Sequence, residues 1–356
     1  MSTTPQTQSN SRQANYELLR IYAILLISLM HGISSAYASV NLVNSIAHVS
    51  INAIGNMGVT IFVLVSGYFG IRLRVSKIIW LWSLMFFYSL VIFAIQCYTS
   101  EIPLPDNYEN AKEFLKNLYT AITPVTSNRW WFCSSYFILM MLAPLLSKAC
   151  NNISKQSFQY LLGVLLFFYS ISPTFLMHSL TYTLGGKCTE TIILAYLIGR
   201  YIARFGYPAC IQQHYRTIFI GCFSVIFVVD FFVMDPLFMA RDHNLFIIIG
   251  AITTVYFFGT LHFSSENVSK AICYISTLVF PFYLLNHFLI NQLEFQYARL
   301  SESYKYLPIY LLVQCEIVII SLTIEFIRRK LMDKTIKDLS QRFESRISNK
   351  LNLNNI

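Results

Sequence analysis

Long apolar segments separated by short polar ones run along almost the whole chain of 356 residues. A helix rises about 1.5 Å per residue, so roughly 20 apolar residues cross the hydrocarbon core of a bilayer. Ten segments approach this length: 17–37, 50–71, 77–98, 130–147, 158–177, 189–205, 216–234, 244–263, 271–291 and 306–327. The pattern predicts an all-α polytopic membrane protein with about ten transmembrane helices.

The distribution of Lys and Arg predicts how these helices are oriented. Ten spans put both termini on one side of the membrane, and 19 of the 26 Lys and Arg residues then lie on that side. Positive residues concentrate on the cytoplasmic side of membrane proteins. We therefore predict cytoplasmic termini and three parts, which are a disordered N-terminus (1–15), a membrane domain (16–330) and a basic cytoplasmic tail (331–356).

Two further segments have the pattern of helices that lie at a membrane surface. Within the predicted outer loop 99–129, apolar residues recur every three or four positions over 110–122, which predicts a short amphipathic helix on the outer interface. The tail from Arg328 onward mixes basic and apolar residues. This mixture predicts a juxtamembrane helix that is attracted to anionic lipid.

Composition excludes several classes of protein. Only 12% of the residues are charged and the mean hydropathy is +0.53, whereas soluble domains contain about 25% charged residues. The net charge of +9 is concentrated on one predicted side of the membrane, which argues against nucleic acid as a partner. The eight cysteines are scattered without a CxxC motif, and neither metal-ligand spacing nor a Gly-rich phosphate loop is found, so no metal site is predicted.

Arg20 and His31 are the strongest candidates for chemistry, because both lie in the first apolar segment, LLRIYAILLISLMHG. Eleven residues of helix return to within about 20° of the starting direction and rise roughly 16 Å. A cation near one membrane face and an imidazole near mid-membrane therefore share one face of the helix. Ionisable groups at membrane depth are costly and indicate function. A neutral imidazole can accept a proton from a hydroxyl group.

Structural explanations compete for each intramembrane ionisable group. Arg20 has Glu17 three residues before it, which predicts a local ion pair, and His31 lies close enough to its helix end to be a packing residue. Glu316 is near mid-bilayer in the last predicted span and is a candidate orienting partner for an inward-facing cation or histidine. Asp230 favours a structural role near the outer boundary, and Glu325 favours an ion pair with the arginines that follow it.

Four motifs resemble those of the integral-membrane acyltransferase-3 family, which O-acylates carbohydrates and other hydroxyl-bearing acceptors. They are the Arg-x10-His pattern of helix one, the ending IFVLVSGYFG of helix two, a basic cluster directly after it, and the aromatic entry NRWWFCSSYFILMMLAPLL of a later helix. The residues concerned are Arg20, His31, Ser66, Gly67, Tyr68, Arg72, Arg74, Lys77, Arg129, Trp130, Trp131, Tyr136 and Pro144. The ten-helix layout also matches, so the resemblance covers residues 14–330.

The chain departs from the family at one position. The family often contains Tyr-Leu-Ile-His near the end of the fold, whereas this chain has FYLLNHFLI, with Asn286 in place of that histidine and His287 one residue later. One residue turns a helix by about 100°. We therefore carry no catalytic role onto His287, which is interpreted as a helix-end histidine near the outer interface.

The resemblance implies acyl transfer across the inner membrane of a bacterium. The acyl group, commonly acetyl, would pass from cytoplasmic acyl-CoA, a donor substrate rather than a bound cofactor, to a hydroxyl of a surface or lipid-linked polysaccharide. His31 would be the general base or a transient acyl carrier, and Glu316 its candidate orienting group. The CoA phosphates would be held by Arg20, Arg72, Arg74 and Lys77. Simple topogenic charge is the alternative for the three residues after helix two.

The acceptor sugar would lie against aromatic faces in a cleft. Trp131 and Tyr136 are the candidates, with an aromatic belt at the outer interface as their alternative. Close helix packing by small residues is the preferred interpretation of Gly67, and a substrate-binding role for Ser66 stays open.

Two other functions compete with acyl transfer. A transporter or flippase of lipid-linked glycans would also contain intramembrane charges, but such proteins usually have internal repeats, and none is found here. A glycan polymerase would need a larger outer loop with catalytic groups. The loop 99–129 is modest in length and acidic.

Overall fold

A computed structural model describes residues 13–34, 41–176, 185–232 and 238–351. Helices and turns make up the described chain, which contains no strand in these ranges. Most of the predicted disordered N-terminus therefore lies outside the described residues. The helices are α1 (Ala14–Ser34), α2 (Leu42–Gly55), α3 (Met57–Phe69), α4 (Val75–Tyr98), α5 (Tyr108–Ile122), α6 (Trp131–Asn152), α7 (Lys155–Leu166), α8 (Thr189–Phe205), α9 (Ala209–Phe232), α10 (Leu245–Gly259), α11 (Glu266–Ser276), α12 (Val279–Leu293), α13 (Phe295–Ala298) and α14 (Tyr306–Leu351).

The all-α polytopic prediction is confirmed. Among the described residues, seven helical segments are long and apolar enough to cross a membrane. Two of them are composite, namely α2 with α3, and α7 with the π-helix that continues it over Phe167–Leu176. The bent pair α11–α12 would make an eighth. The two helices of that pair meet at an angle of 48°. Helix α10 has only 15 residues, although it falls on the predicted span 244–263. A count of ten spans and the cytoplasmic location of the termini stay predictions.

Both segments for which surface helices are predicted are helical. Helix α5 covers the amphipathic segment predicted over 110–122, and its Phe114 ring packs edge-on against Phe93 of α4, with ring centres 5.4 Å apart. The basic tail is also helical, but it is no separate element. It is the continuation of α14, whose 46 residues extend about 69 Å and so exceed the thickness of the hydrocarbon core.

Helix α1 lies in the middle of the bundle and contacts α2, α3, α10, α11, α12 and α14. Beside it, α3 and α8 cross closely at two glycines. A Cβ added to Gly67 would overlap the carbonyl oxygen of Tyr196, and one added to Gly199 would overlap that of Leu64. The close-packing interpretation of Gly67 is therefore confirmed, because only hydrogen side chains let these two backbones approach so far.

Candidate active site

Helix α1 places His31 directly against the bent pair α11–α12 and links Arg20 to it through Glu17. At one end the Arg20 guanidinium pairs with Glu17 at 2.7 Å, and the other oxygen of Glu17 accepts a hydrogen bond from Ser276 at the end of α11. Near the other end, Nδ1 of His31 lies 3.4 Å from Oδ1 of Asn286 in α12. The shared face follows from the eleven-residue spacing. The predicted ion pair between Glu17 and Arg20 is confirmed as well.

A buried chain of hydrogen bonds orients His31. The amide nitrogen of Asn286 donates to Oγ of Ser28 at 2.6 Å, and this hydroxyl donates to Oε1 of Gln314 in α14 at 2.9 Å. Because the amide nitrogen is engaged with Ser28, the amide oxygen faces the imidazole. An amide oxygen only accepts, so it favours a proton on Nδ1 of His31 and leaves the lone pair on Nε2.

Two tyrosines fix the backbone on either side of His31. The hydroxyl of Tyr310 donates to the carbonyl of Leu29, and that of Tyr297 donates to the carbonyl of Gly32 at 2.8 Å. Both carbonyls lie near the C-terminal end of α1, where intrahelical partners run out. The last turn of α1 is thus anchored to α13 and α14, whereas the side chain of His31 itself stays partly accessible.

Asn286 occupies the position where the resemblance expects a histidine, and it contacts His31 directly. His287, one residue later, is exposed, yet its ring centre lies only 5.8 Å from that of His31. Both side chains are therefore neighbours of the His31 imidazole. Asn286 supplies a hydrogen bond, and His287 supplies a second imidazole on the open side.

Lys187, which the sequence analysis missed, lies near these two imidazoles and links them to a buried acid. Lys187 is exposed and within electrostatic range of His31, His287 and Asp242. It precedes α8, whereas Asp242 is buried in the segment between α9 and α10. Lys187 is one of the seven Lys and Arg residues on the predicted outer side, and no motif marks it. The one sequence signal was its place directly after two glycines, Gly185 and Gly186.

The segment before α8 and the segment between α9 and α10 are in close contact. Gly186 has a φ of +87°, and a Cβ there would collide with the backbone nitrogen of His243. Burial raises the pKa of the Asp242 carboxyl to about 7, although Lys187 opposes this shift. Burial, followed by the neighbouring Arg241 guanidinium, lowers the pKa of the His243 imidazole to about 4. The segment therefore contains two buried groups whose uncharged forms are favoured.

The predicted substrate-binding residues lie in one aromatic cluster. Oγ of Ser66 in α3 lies 3.1 Å from the hydroxyl of Tyr136 in α6. The ring of Phe132 then lies 5.7 Å from Tyr136 and 5.7 Å from Tyr283 of α12, and 6.1 Å from Trp131. Tyr283 is one helical turn before His287. The cluster thus reaches from the half-buried Trp131 and Tyr136 towards the helix that holds Asn286.

The predicted phosphate-binding cations are distributed over two places. Arg74 and Lys77, at the start of α4, line a groove of about 730 Å³ whose other wall is the C-terminal part of α14. Arg72 is exposed and lies outside the lining of this groove. Arg20 is instead held by Glu17 beside the α11–α12 bend.

The structure separates Glu316 from His31. Glu316 is exposed, and its carboxylate accepts a hydrogen bond from Gln296 at 3.5 Å. Two residues turn α14 by about 200°, so it is Gln314 that faces the chain of hydrogen bonds to His31. The proposed orienting role of Glu316 therefore has no support in the geometry.

The structural interpretations of the other two acids are confirmed. The carboxylate of Asp230 accepts the backbone N–H groups of Met239 and Ala240, and so fixes the segment that leads to Asp242. Glu325 is bound by Arg328 at 2.7 Å and by Arg329 at 2.6 Å, as their spacing along the helix predicts.

Comparison with known proteins identifies the type of domain. The family model described as an acyltransferase domain matches residues 13–326. No curated protein and no solved structure matches the chain. The matched region includes α1 to α12 and the first half of α14, but not the C-terminal part of α14 that forms the groove wall.

Proposed function

This chain belongs to the acyltransferase-3 family, and we propose that it moves an acyl group, acetyl in the simplest case, from cytoplasmic acyl-CoA to a hydroxyl of a surface or lipid-linked polysaccharide. Membership of the family supports a multi-pass membrane acyltransferase and favours it over a transporter or a polymerase. The donor, the acceptor and a bacterial inner membrane as its location are parts of the proposal.

The observation that supports this proposal is the setting of His31. Its Nδ1 lies beside Asn286 in the chain Asn286–Ser28–Gln314, the residue is partly exposed, and the ring centre of His287 is 5.8 Å away. An imidazole that is oriented through Nδ1 and keeps a lone pair on Nε2 has what proton abstraction from a hydroxyl requires. Arg20 on the same face of α1 extends this arrangement towards the other end of the bundle.

The proposed reaction needs no reagent other than the acyl-CoA and the acceptor hydroxyl. Nε2 of His31 takes the proton of the acceptor hydroxyl as its oxygen attacks the thioester carbonyl, and the carbon–sulfur bond then breaks. The imidazolium returns its proton to the CoA thiolate, so an ester and a free thiol are the products. In the alternative, Nε2 of His31 attacks the thioester carbonyl, the carbon–sulfur bond breaks and the CoA thiolate leaves. The acyl-imidazole then transfers the acyl group to the acceptor hydroxyl, whose proton goes to the thiolate.

We assign the two substrates to different surfaces around α1. The phosphates of CoA would meet the cations at the N-terminal end, namely Arg20, Arg74 and Lys77, with Arg72 exposed beside them, since guanidinium and ammonium groups suit phosphate. The sugar would lie against Trp131 and Tyr136, with the Ser66 hydroxyl in hydrogen-bond contact with the latter.

The proposal is tested in a strain that lacks the gene and is complemented with variants of this chain. Complementation with the wild-type chain should restore O-acetyl groups on the surface polysaccharide, as measured by NMR, whereas His31→Ala should not. His262→Ala, which removes an exposed histidine between α10 and α11, is the matched control and should complement fully. A normal O-acetyl content in the deletion strain, or full complementation by His31→Ala, would overturn the proposal.

A further inference from the structure

The C-terminal part of α14 forms a groove with the start of α4. Six of the side chains that line it are Arg74, Lys77, Trp80, Asp333, Lys334 and Lys337. The groove has a volume of about 730 Å³, which is the size of a small-molecule site. Its α14 wall lies beyond residue 326, where the family match ends.

This part of α14 is docked rather than projecting freely. Ile336 is 7% exposed and Ser340 is 4% exposed, although both follow the predicted end of the last span. The residues of α14 that line the groove include Asp333, Lys337, Ser340 and Glu344. Their spacing of three and four residues puts them on one helical face. One face of the C-terminal part of α14 is therefore turned towards the start of α4.

The groove has an excess of positive charge. Four cationic side chains line it, against two carboxylates. One of these, Asp333, is bound by the buried Arg328 at 2.8 Å, and Arg328 in turn pairs with Glu325. The Arg328 guanidinium therefore offsets the negative charge of Asp333. Glu344 is the other acidic residue that lines the groove. Anionic ligands are thus favoured over cationic ones.

The groove is connected to the surroundings of Arg20. Arg329 pairs with Glu325 and also donates to the carbonyl of Thr277, at 2.8 Å. The preceding residue, Ser276, donates to Glu17, the partner of Arg20. Two series of ion pairs and hydrogen bonds, which meet at the neighbouring residues Ser276 and Thr277, therefore join the groove wall to the end of α1 where the donor is proposed to bind.

We propose that the groove between α4 and the C-terminal part of α14 binds a phosphate ester, with Lys334 and Lys337 completing a site begun by Arg74 and Lys77. Ammonium and guanidinium groups pair with phosphate oxygens, and the indole of Trp80 offers a face on which a base can stack. The source is the 3′-phosphonucleotide end of CoA, which rests on the proposed function, or the headgroup of an anionic lipid.

A pair of double variants tests the groove. Lys334→Gln with Lys337→Gln removes two groove cations, whereas Lys330→Gln with Arg342→Gln removes two cations of the same helix that lie outside the lining. Each protein is placed in nanodiscs of phosphatidylcholine. Calorimetry then measures the binding of CoA and of 3′-dephospho-CoA. In a second arm, the nanodiscs also contain phosphatidylglycerol, and native mass spectrometry counts the molecules of this lipid that stay bound to each protein.

The two sources give different results. If CoA is the ligand, the groove variant binds it roughly tenfold more weakly, a loss of about 1.4 kcal/mol, and no longer distinguishes it from 3′-dephospho-CoA. If a lipid is the ligand, CoA binding is unchanged and only the groove variant loses phosphatidylglycerol. If the groove variant equals its control in both arms, the proposal is wrong. Because neither arm measures turnover, failure of acyl transfer alone would count against the proposed function and not against the groove.

Discussion

The amide oxygen of Asn286 lies 3.4 Å from Nδ1 of His31, while its amide nitrogen donates to Ser28 at 2.6 Å. One side chain therefore orients the proposed base and also links it to the rest of the bundle. An asparagine fits this role because it has an acceptor and a donor in one plane. A histidine at this position would offer a different arrangement of donors and acceptors.

Replacement of Asn286 by alanine should lower kcat by one to two orders of magnitude and leave KM for the donor nearly unchanged. The variant loses the group that orients His31, whereas the cations proposed to hold CoA are untouched. Steady-state kinetics of the purified protein measures both constants. Asn291→Ala removes an exposed asparagine from the same helix and should behave like the wild-type protein. A rise in KM at constant kcat would contradict the positioning role.

His287→Ala should retain most of the activity, within about tenfold of the wild-type rate, whereas His31→Ala should lose about two to four orders of magnitude in kcat. The ring of His287 lies 5.8 Å from that of His31, but Asn286 is the residue that hydrogen-bonds to the proposed base. Single-turnover rates with labelled acetyl-CoA provide the comparison. Equal losses in the two variants would assign the proton transfer to a pair of imidazoles instead.

Asp242 and His243 should make the free energy of unfolding depend on pH in opposite directions. The pKa of Asp242 is raised to about 7, so its contribution to the free energy of unfolding is present at low pH and is lost as the pH rises towards 7. The pKa of His243 is lowered to about 4, so the folded state is destabilised as the pH falls from 6.5 to 4. Between pH 4 and 6.5 the two slopes should nearly cancel.

Single substitutions separate these slopes. In Asp242→Asn, the Tm should rise with pH between 4 and 6.5, because His243 is then the titrating member of the pair. In His243→Gln, the Tm should fall between pH 4 and 7. Lys187 and Arg241 are the charged neighbours of the pair. Thermal unfolding in detergent at a series of pH values gives both curves, and parallel curves for the two variants would contradict the assignment.

Gly67→Ala should destabilise the protein by about 2 kcal/mol or more, because its Cβ would overlap the backbone of α8. Gly163→Ala is the matched control, since no atom lies within 4 Å of the added Cβ in α7. The control should be neutral or slightly stabilising, as alanine favours helix by about 1 kcal/mol over glycine. Thermal unfolding compares the two, and an equal Tm would show that α3 and α8 can separate without penalty.

Local patterns predicted the helices well and the contacts between them poorly. Helix α8 begins and ends at the predicted residues 189 and 205, and Arg20 and His31 share a face because helical geometry alone determines it. The partner of His31 is Asn286, which is 255 residues away in the chain. No periodicity reports such a contact.

The predictions that failed or were missing concern long-range packing. Glu316 was favoured because an acid at membrane depth is unusual, but its neighbour Gln314 faces the bundle interior. Lys187 and Asp242 lie in loops, where composition gives no direction for a side chain. The proximity of Lys187 and Asp242 to each other accompanies the contact between the two loops at Gly186 and His243, which only the folded chain contains.

Helix α14 behaves as one uninterrupted rod that contains Gln314 beside the His31 chain and Lys334 in the groove, twenty residues further on. These two positions are about 30 Å apart along the axis. A rod transmits axial displacement without attenuation, so any slip of this helix that accompanies occupation of the groove would move the hydrogen-bond support of the imidazole by the same distance.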